Sequence, residues 1–330
     1  MNPSLSAIRE AQQILRKFLP VTRLLSADQL GNEKKCAAYL KLESELPTGS
    51  FKPRGALYAL SVNMARRPIR EVTASSTGNH GAAVAYAAKL LGIKATIFLP
   101  ENPNPVKRAR IANLGATIVE RGMSDLTAAC KEALAYSQKE GVYFLNDATD
   151  SDLPAGPATI AWEILDALPS TDTIYVPMGD TALIRGVAAA AKQRSPKIKI
   201  IGVQAESAPS YFLSWKKGEA VETETCDTIA DGLATRIPET ANVHAIRELV
   251  DNVCLVSDEQ MMEAIRYLLF EEHVVAEPSG AAATAALLQS KEAPGPTVVL
   301  LVTGANIPPN ILRQAANLER CLLPGHSKER

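Results

Sequence analysis

Val72-Thr73-Ala74-Ser75-Ser76-Thr77-Gly78-Asn79-His80-Gly81-Ala82-Ala83-Val84, carried on to Ala95-Thr96-Ile97-Phe98-Leu99, is the stretch from which the fold is read. A short β-type run at 72–74 passes through a loop of hydroxyls and glycine into an Ala-rich helix at 79–91. A second β-type run at 95–99 ends at Pro100. Strand, helix and strand in this order predict a βαβ unit, hence parallel strands covered by helices. The same alternation continues on the C-terminal side: helix 106–114, strand 116–119, helix 124–139 and strand 142–145. After a loop rich in Asp and Pro, strand 173–176 precedes helix 183–192, and strand 198–203 precedes helix 208–215. Strand 252–256, helix 258–271 and helix 278–288 follow. Thr297-Val298-Val299-Leu300-Leu301-Val302 has no polar face and reads as a central strand buried on both sides. The fold class is therefore α/β, with mainly parallel sheets, and ligands are expected at the carboxyl ends of the strands.

Composition narrows the function. The chain has 330 residues, enough for one large domain or two packed closely, and 46% of them are hydrophobic. A formal net charge of −1, with no basic stripe, argues against a nucleic-acid partner. The cluster Lys107-Arg108-Ala109-Arg110 reads as a charged helix face. Cys36, Cys130, Cys226, Cys254 and Cys321 are scattered without metal-ligand spacing, as reduced thiols of a cytoplasmic protein would be. The first 19 residues lack the apolar core of a signal peptide, and no stretch is long enough to span a bilayer, so no membrane partner is expected.

Four strand-end or loop-to-helix segments carry chemistry. Pro47-Thr48-Gly49-Ser50-Phe51-Lys52-Pro53-Arg54-Gly55-Ala56 sets a lysine between a glycine turn and a helix-starting proline. Desolvation there would disfavour the ammonium and free the amine for a Schiff base with a carbonyl group. Ser76-Thr77-Gly78-Asn79-His80 brings hydroxyls, an amide and an imidazole to a helix N-terminus, an anion site suited to a carboxylate. Part of that set serves as an ordinary helix cap. Gly179-Asp180-Thr181-Ala182-Leu183 is a strand-to-helix turn of the kind that cradles phosphate. Asp180 opposes a phosphate by charge, and Thr181 offers a compensating hydroxyl. Thr303-Gly304-Ala305-Asn306 ends the apolar strand and presents a hydroxyl. His244, His273 and His326 read as surface residues. No Gly-x-Gly-x-x-Gly pattern supports a dinucleotide-binding fold.

Together these residues resemble the threonine/serine dehydratase group, with the serine racemases, of the fold-type II pyridoxal-phosphate enzymes. Ser50-Phe51-Lys52-Pro53-Arg54-Gly55-Ala56 and Ser76-Thr77-Gly78-Asn79-His80 match two of its motifs. Ile229-Ala230-Asp231-Gly232-Leu233-Ala234 and Ala276-Glu277-Pro278-Ser279-Gly280-Ala281 look like two more. The resemblance runs in register from about residue 7 to 318. It implies a two-lobed molecule with the active site between the lobes: residues 1–70 and 148–330 in the large domain and 71–147 in the small one. It implies pyridoxal 5'-phosphate as cofactor and a small amino acid as substrate. By analogy with such relatives it implies a homodimer.

The residue roles also follow from the resemblance. Lys52 would bond the cofactor and later move protons. Phe51 would pack near the ring, Asn79 would meet the 3-hydroxyl, Thr303 the ring nitrogen, and Glu277 would lie close to the ring. Gly179, Asp180, Thr181, Ala182 and Leu183 would hold the phosphate. Ser76, Thr77, Gly78, Asn79 and His80 would bind the substrate, with Thr77 a second catalytic candidate. The expected reaction is dehydration of a 3-hydroxy amino acid to a 2-keto acid and ammonia. Racemisation, β-replacement and a catalytically impaired binding protein remain alternatives. The chain departs from the family at the phosphate turn, where Asp180, Thr181 and Ala182 replace glycines, and at Ala305 and Gly156-Pro157-Ala158-Thr159. Phe212 stands where relatives that bind a divalent metal carry a carboxylate, so no metal site is expected. With the chain ending near Arg330, no appended regulatory domain of the kind found in biosynthetic relatives is expected.

Overall fold

A computed structural model of the chain describes residues 2–76, 78–101, 105–120, 126–291 and 295–317. Its strands are β1 Leu24–Ser26, β2 Ala37–Leu42, β3 Glu71–Ser75, β4 Lys94–Phe98, β5 Thr117–Val119, β6 Val142–Phe144, β7 Thr173–Pro177, β8 Lys199–Ala205, β9 Asn252–Val256 and β10 Thr297–Val302. Six of them form one sheet in the order β1-β2-β10-β7-β8-β9, and four form a second in the order β5-β4-β3-β6. All pairings are parallel except β1 with β2. The all-apolar run at 297–302 lies between β2 and β7, and all six of its residues are buried. β-branched and leucine side chains on both faces are what such a position requires.

Helices Asn79–Leu91, Asp258–Phe270 and Pro278–Gln289 fall where the spacing placed them, to within a residue. The spacing does not reveal several elements, among them β2 and helices Asp28–Lys34 and Thr240–Leu249, and two further ones have a clear physical reason. The antiparallel edge strand β1 is three residues long, too short for an alternation to show. Helix Ala155–Ala167 occupies part of what read as an Asp- and Pro-rich loop. Its Pro157 sits in the first turn, where a backbone N–H has no intrahelical acceptor, so the ring is tolerated. Gly156 permits a close crossing: a Cβ there would lie 2.2 Å from the Arg54 carbonyl oxygen.

That crossing leads to a buried ionic cluster. Arg54 is 1% exposed and bonds two carboxylates. Its Nε and Nη2 donate to Glu43 at 2.7 and 2.9 Å, and its Nη1 and Nη2 donate to Glu163 at 2.6 and 2.9 Å. Nη1 also reaches the Thr159 hydroxyl at 3.0 Å. Lys41 completes the set by donating to Glu163 at 2.6 Å and to the Thr22 carbonyl at 2.8 Å. Two cations thus balance two anions. Burial opposes the Arg54 charge, but the two glutamates outweigh it and keep the guanidinium protonated. Such a cluster adds little over well-packed apolar residues, yet breaking it strands charge in the interior. Arg54→Leu should therefore lower the unfolding free energy by about 3–5 kcal/mol, measured by denaturant titration. Arg54→Lys should recover only part of the loss, because an ammonium cannot bond both carboxylates through two-pronged contacts.

Candidate active site

The turn leaving β10 gathers the site. Phe51 N–H donates to the Thr303 carbonyl at 3.0 Å, and Ala305 N–H donates to the Gly49 carbonyl at 2.9 Å. The loop before Lys52 is thereby stitched to the end of the central strand. Gly49 makes the turn with φ 71, which favours glycine. Glu277 N–H donates to the Gly304 carbonyl at 2.9 Å and brings in a third segment. Gly232 N–H, from a fourth, donates to the Ser279 hydroxyl at 3.0 Å.

A cavity of about 530 Å³ opens above this junction, with β3, β7 and β10 ending at it. Phe51, Lys52, Ser76, Gly78, Asn79 and His80 line it. So do Gly179, Asp180, Thr181, Ala182, Leu183, Glu277 and Thr303. Every site residue expected from the sequence is there except Thr77, which lies outside the described residues. Asn79 sits in a relay: Asn306 Nδ2 donates to its Oδ1 at 2.6 Å, and its own Nδ2 donates to Glu277 Oε1 at 2.6 Å. The Thr303 hydroxyl has a single long contact, 3.5 Å to the Ser279 carbonyl. The Phe51 ring centroid is 5.4 Å from Lys52 Nζ.

Three expectations need correction. Lys52 is not an amine freed by desolvation. Its Nζ donates to Asp147 Oδ2 at 2.6 Å. Burial does disfavour its charge, but Asp147, Asp180 and Glu277 together outweigh that and hold its pKa above the ordinary lysine value. The His80 ring is not aimed freely at a substrate. It is 4% exposed, with Nε2 3.0 Å from the Leu145 carbonyl, which requires the proton on that nitrogen. Its Nδ1 lies 3.9 Å from Asp147 Oδ2. Asp180, finally, is not a plain carboxylate. Burial and the neighbouring Asp147 push its pKa up to about 6, against Lys52 and a hydrogen bond from the Thr235 hydroxyl at 3.0 Å.

Sequence reading missed Asp147 and Arg185. Asp147 follows β6 in the loop read as merely Asp-rich. His80 and Lys52 hold its carboxyl well below the usual range in spite of its burial. Arg185 is 2% exposed, one turn into helix Ala182–Arg194. It donates to the Thr181 hydroxyl at 3.1 Å and to the Ala148 carbonyl at 3.4 Å. No carboxylate of the described residues lies within ion-pair distance of it, and burial lowers its pKa. A buried guanidinium in that state favours an incoming anion.

Residues 15–304 match the family of pyridoxal-phosphate-dependent enzymes. The chain belongs to this family. The L-threonine ammonia-lyase of Thermotoga maritima is 35% identical over 314 residues, 95% of this chain and 78% of the relative. The catabolic L-threonine dehydratase TdcB of Staphylococcus aureus strain N315 is 36% identical, over 92% of this chain and 89% of its own length. Among solved structures, maize serine racemase superposes with a TM-score of 0.88 at 29% identity, covering 96% of this chain and 97% of that one. The T.th. threonine deaminase superposes with a TM-score of 0.86 at 32% identity, covering 93% and 99%. The fold is the two-sheet α/β arrangement of the fold-type II group.

The site fits pyridoxal phosphate. Thr181, Ala182 and Leu183, at the N-terminal end of helix Ala182–Arg194, line the cavity, and a helix N-terminus offers the free N–H groups that phosphate binding requires. Gly179 is packed so tightly that a Cβ would lie 2.1 Å from the Gly232 carbonyl oxygen, so the turn is a formed cradle. Thr181 has φ 68, a left-handed conformation that costs a non-glycine residue about 1–2 kcal/mol. The Arg185 bond to its hydroxyl holds it there. Arg185 thus supplies positive charge behind the turn that Asp180 makes acidic. Two variants test this balance by fluorescence titration of cofactor affinity. Arg185→Leu should weaken binding on the order of tenfold, the equivalent of about 1.4 kcal/mol. Asp180→Asn should bind more tightly than wild type at pH 8, where Asp180 is ionised. It should match wild type at pH 5, below the raised pKa, where Asp180 carries its proton.

Proposed function

We propose that this enzyme is a dehydratase (ammonia-lyase) acting on a small 3-hydroxy amino acid such as threonine or serine, with a 2-keto acid and ammonia as products. The reading rests on likeness to threonine ammonia-lyases along nearly the whole chain. One observation at the site carries it: the polar side chain at the end of β10 is the hydroxyl of Thr303. A hydroxyl cannot keep a pyridine nitrogen protonated as a carboxylate does. The ring is then a weaker electron sink, which favours prompt loss of the β-substituent over a long-lived carbanion.

In this reading the cofactor, when bound, supplies the sink for the electrons of the α-carbon. Lys52 would hold the cofactor by its amine and, once released, would take the substrate's α-proton. Phe51 would pack beside the ring, Asn79 would hydrogen-bond the ring hydroxyl, and Thr303 would meet the ring nitrogen. Glu277 lies nearby, fixed by Asn79. The turn from Gly179 to Leu183, backed by Arg185, holds the phosphate. Ser76, Thr77 and Gly78 take the substrate carboxylate, and His80 supports that loop from behind. The Cα–H and Cβ–O bonds would break, the hydroxyl would leave as water with the proton that Lys52 took from Cα, and addition of a second water would release ammonia and the keto acid. Residues 71–147 form the lobe that closes on the substrate, and residues 1–70 and 148–330 form the other. A homodimer in the cytoplasm completes the proposal. Racemisation is the second reading, favoured by the likeness to maize serine racemase and by the Thr77 hydroxyl.

Holoenzyme supplied with L-threonine and L-serine should release keto acid and ammonia in equal amounts. Lys52→Ala should lower that rate by at least about a thousandfold. A cofactor-loaded protein that interconverts enantiomers and forms no keto acid would establish the second reading instead.

A further inference from the structure

Lys52 and Asp147 lie in a geometry that cofactor binding alone does not explain. The 2.6 Å contact joins two side chains that are about four-fifths buried, with 21% and 20% of their surface exposed. Both partners stand on anchored backbone. The loop of Lys52 is stitched to β10 through Phe51 and Gly49. The loop of Asp147 is pinned on both flanks. Asn146 Oδ1 accepts the N–H groups of Ala148 and Thr149 at 2.9 and 3.1 Å. The Ala148 carbonyl accepts from Asn242 at 3.0 Å and from Arg185 at 3.4 Å. With both loops anchored, the unbonded Lys52 amine lies against this carboxylate.

We propose that Asp147 is a positioning residue for Lys52, whose carboxylate holds the ammonium form of the lysine. It thereby slows capture of the cofactor and strengthens Lys52 as the base that takes the substrate's α-proton. The second half rests on the dehydratase reading; the first does not. The charged groups facing Lys52 come from three elements: Asp147 after β6, Asp180 before helix Ala182–Arg194, and Glu277 before helix Pro278–Gln289. His80, from helix Asn79–Leu91, faces Asp147 from the other side, and Arg110 stands at the cavity wall. Of the three carboxylates, Asp147 is the one that takes the hydrogen bond of the ammonium.

The two consequences have opposite signs. Capture needs the neutral amine, whose lone pair forms the new C–N bond while the cofactor's carbonyl oxygen departs as water. An ammonium must first surrender its proton to solvent, so each unit of raised pKa costs about tenfold in reactive amine at a fixed pH. In turnover, the amine accepts the proton as the Cα–H bond breaks, and the electron pair stays with the substrate. The ammonium so produced lies against the Asp147 carboxylate, which favours the transfer.

Asp147→Asn keeps the shape and removes the charge. Growth of the visible-violet band after addition of pyridoxal phosphate at pH 7 should be about tenfold faster than in wild type. With the loaded enzyme and L-threonine, kcat should fall about tenfold with KM little changed, and Asp147→Glu should restore both values in part. A purely structural role predicts slower capture and slower turnover together. That result, or unchanged capture, overturns the proposal. Faster capture with no turnover of any hydroxy amino acid in wild type or variant supports the Lys52–Asp147 coupling and removes the dehydratase reading. A variant that does not fold leaves a test on wild type alone. Its capture rate should rise with pH to a midpoint above the ordinary lysine value, and a midpoint at or below that value overturns the proposal.

Discussion

The bonding of Arg54 to Glu43 and Glu163 is the interaction on which the site depends. Arg54 stands two residues beyond Lys52, at the start of helix Pro53–Arg66. Glu43 follows β2, beside the central strand, and Glu163 belongs to the helix that crosses at Gly156. One guanidinium therefore ties the lysine's helix to the larger sheet and to its covering layer. Two cations balance two anions, so loss of any one of the four side chains leaves an uncompensated buried charge. The backbone stitch between Gly49–Phe51 and Thr303–Ala305 then sets Lys52 against the end of β10. Lys52 is precise because its two neighbours in sequence are committed elsewhere.

Around this lysine the cavity is acidic, with Asp147, Asp180 and Glu277 all close enough to raise its pKa. Burial and mutual repulsion force these carboxylates apart in behaviour. Asp147, beside Lys52 and His80, is strongly ionised, whereas Asp180 is pushed up to about 6. A pair of carboxyls driven in opposite directions is characteristic of sites that move protons. Arg185 answers the acidity from beneath the phosphate turn. In the proposed reading, a turn without its usual glycines serves as an anion cradle, because a threonine held in the left-handed region and a buried arginine stand in for them.

Much of this was legible in the residues. The α/β alternation and the central strand at 297–302 follow from side chains that bury or turn in one pattern, and the six short motifs that line one cavity were recognisable in the sequence. What was not legible has identifiable physical causes. β1 is too short for periodicity, and helix Ala155–Ala167 hides behind a glycine and a proline that serve a close crossing. Asp147 pairs with a lysine 95 positions away, and nothing local marks it apart from its acidic neighbours. Nothing local marks Arg185 either, yet ten residues of its helix, Arg185 among them, are buried. The Lys52 pKa went in the direction opposite to expectation because desolvation is local and visible in sequence, whereas the three carboxylates that outweigh it are brought in by the fold.

The claim at the centre is that Lys52, among all the lysines of the chain, forms the bond to the cofactor. Reduction of the holoenzyme with borohydride, followed by peptide mass spectrometry, measures it directly. The account predicts one modified peptide, carrying the reduced pyridoxyl group on Lys52. A pyridoxyl group found on another lysine, with Lys52 unmodified, would contradict it.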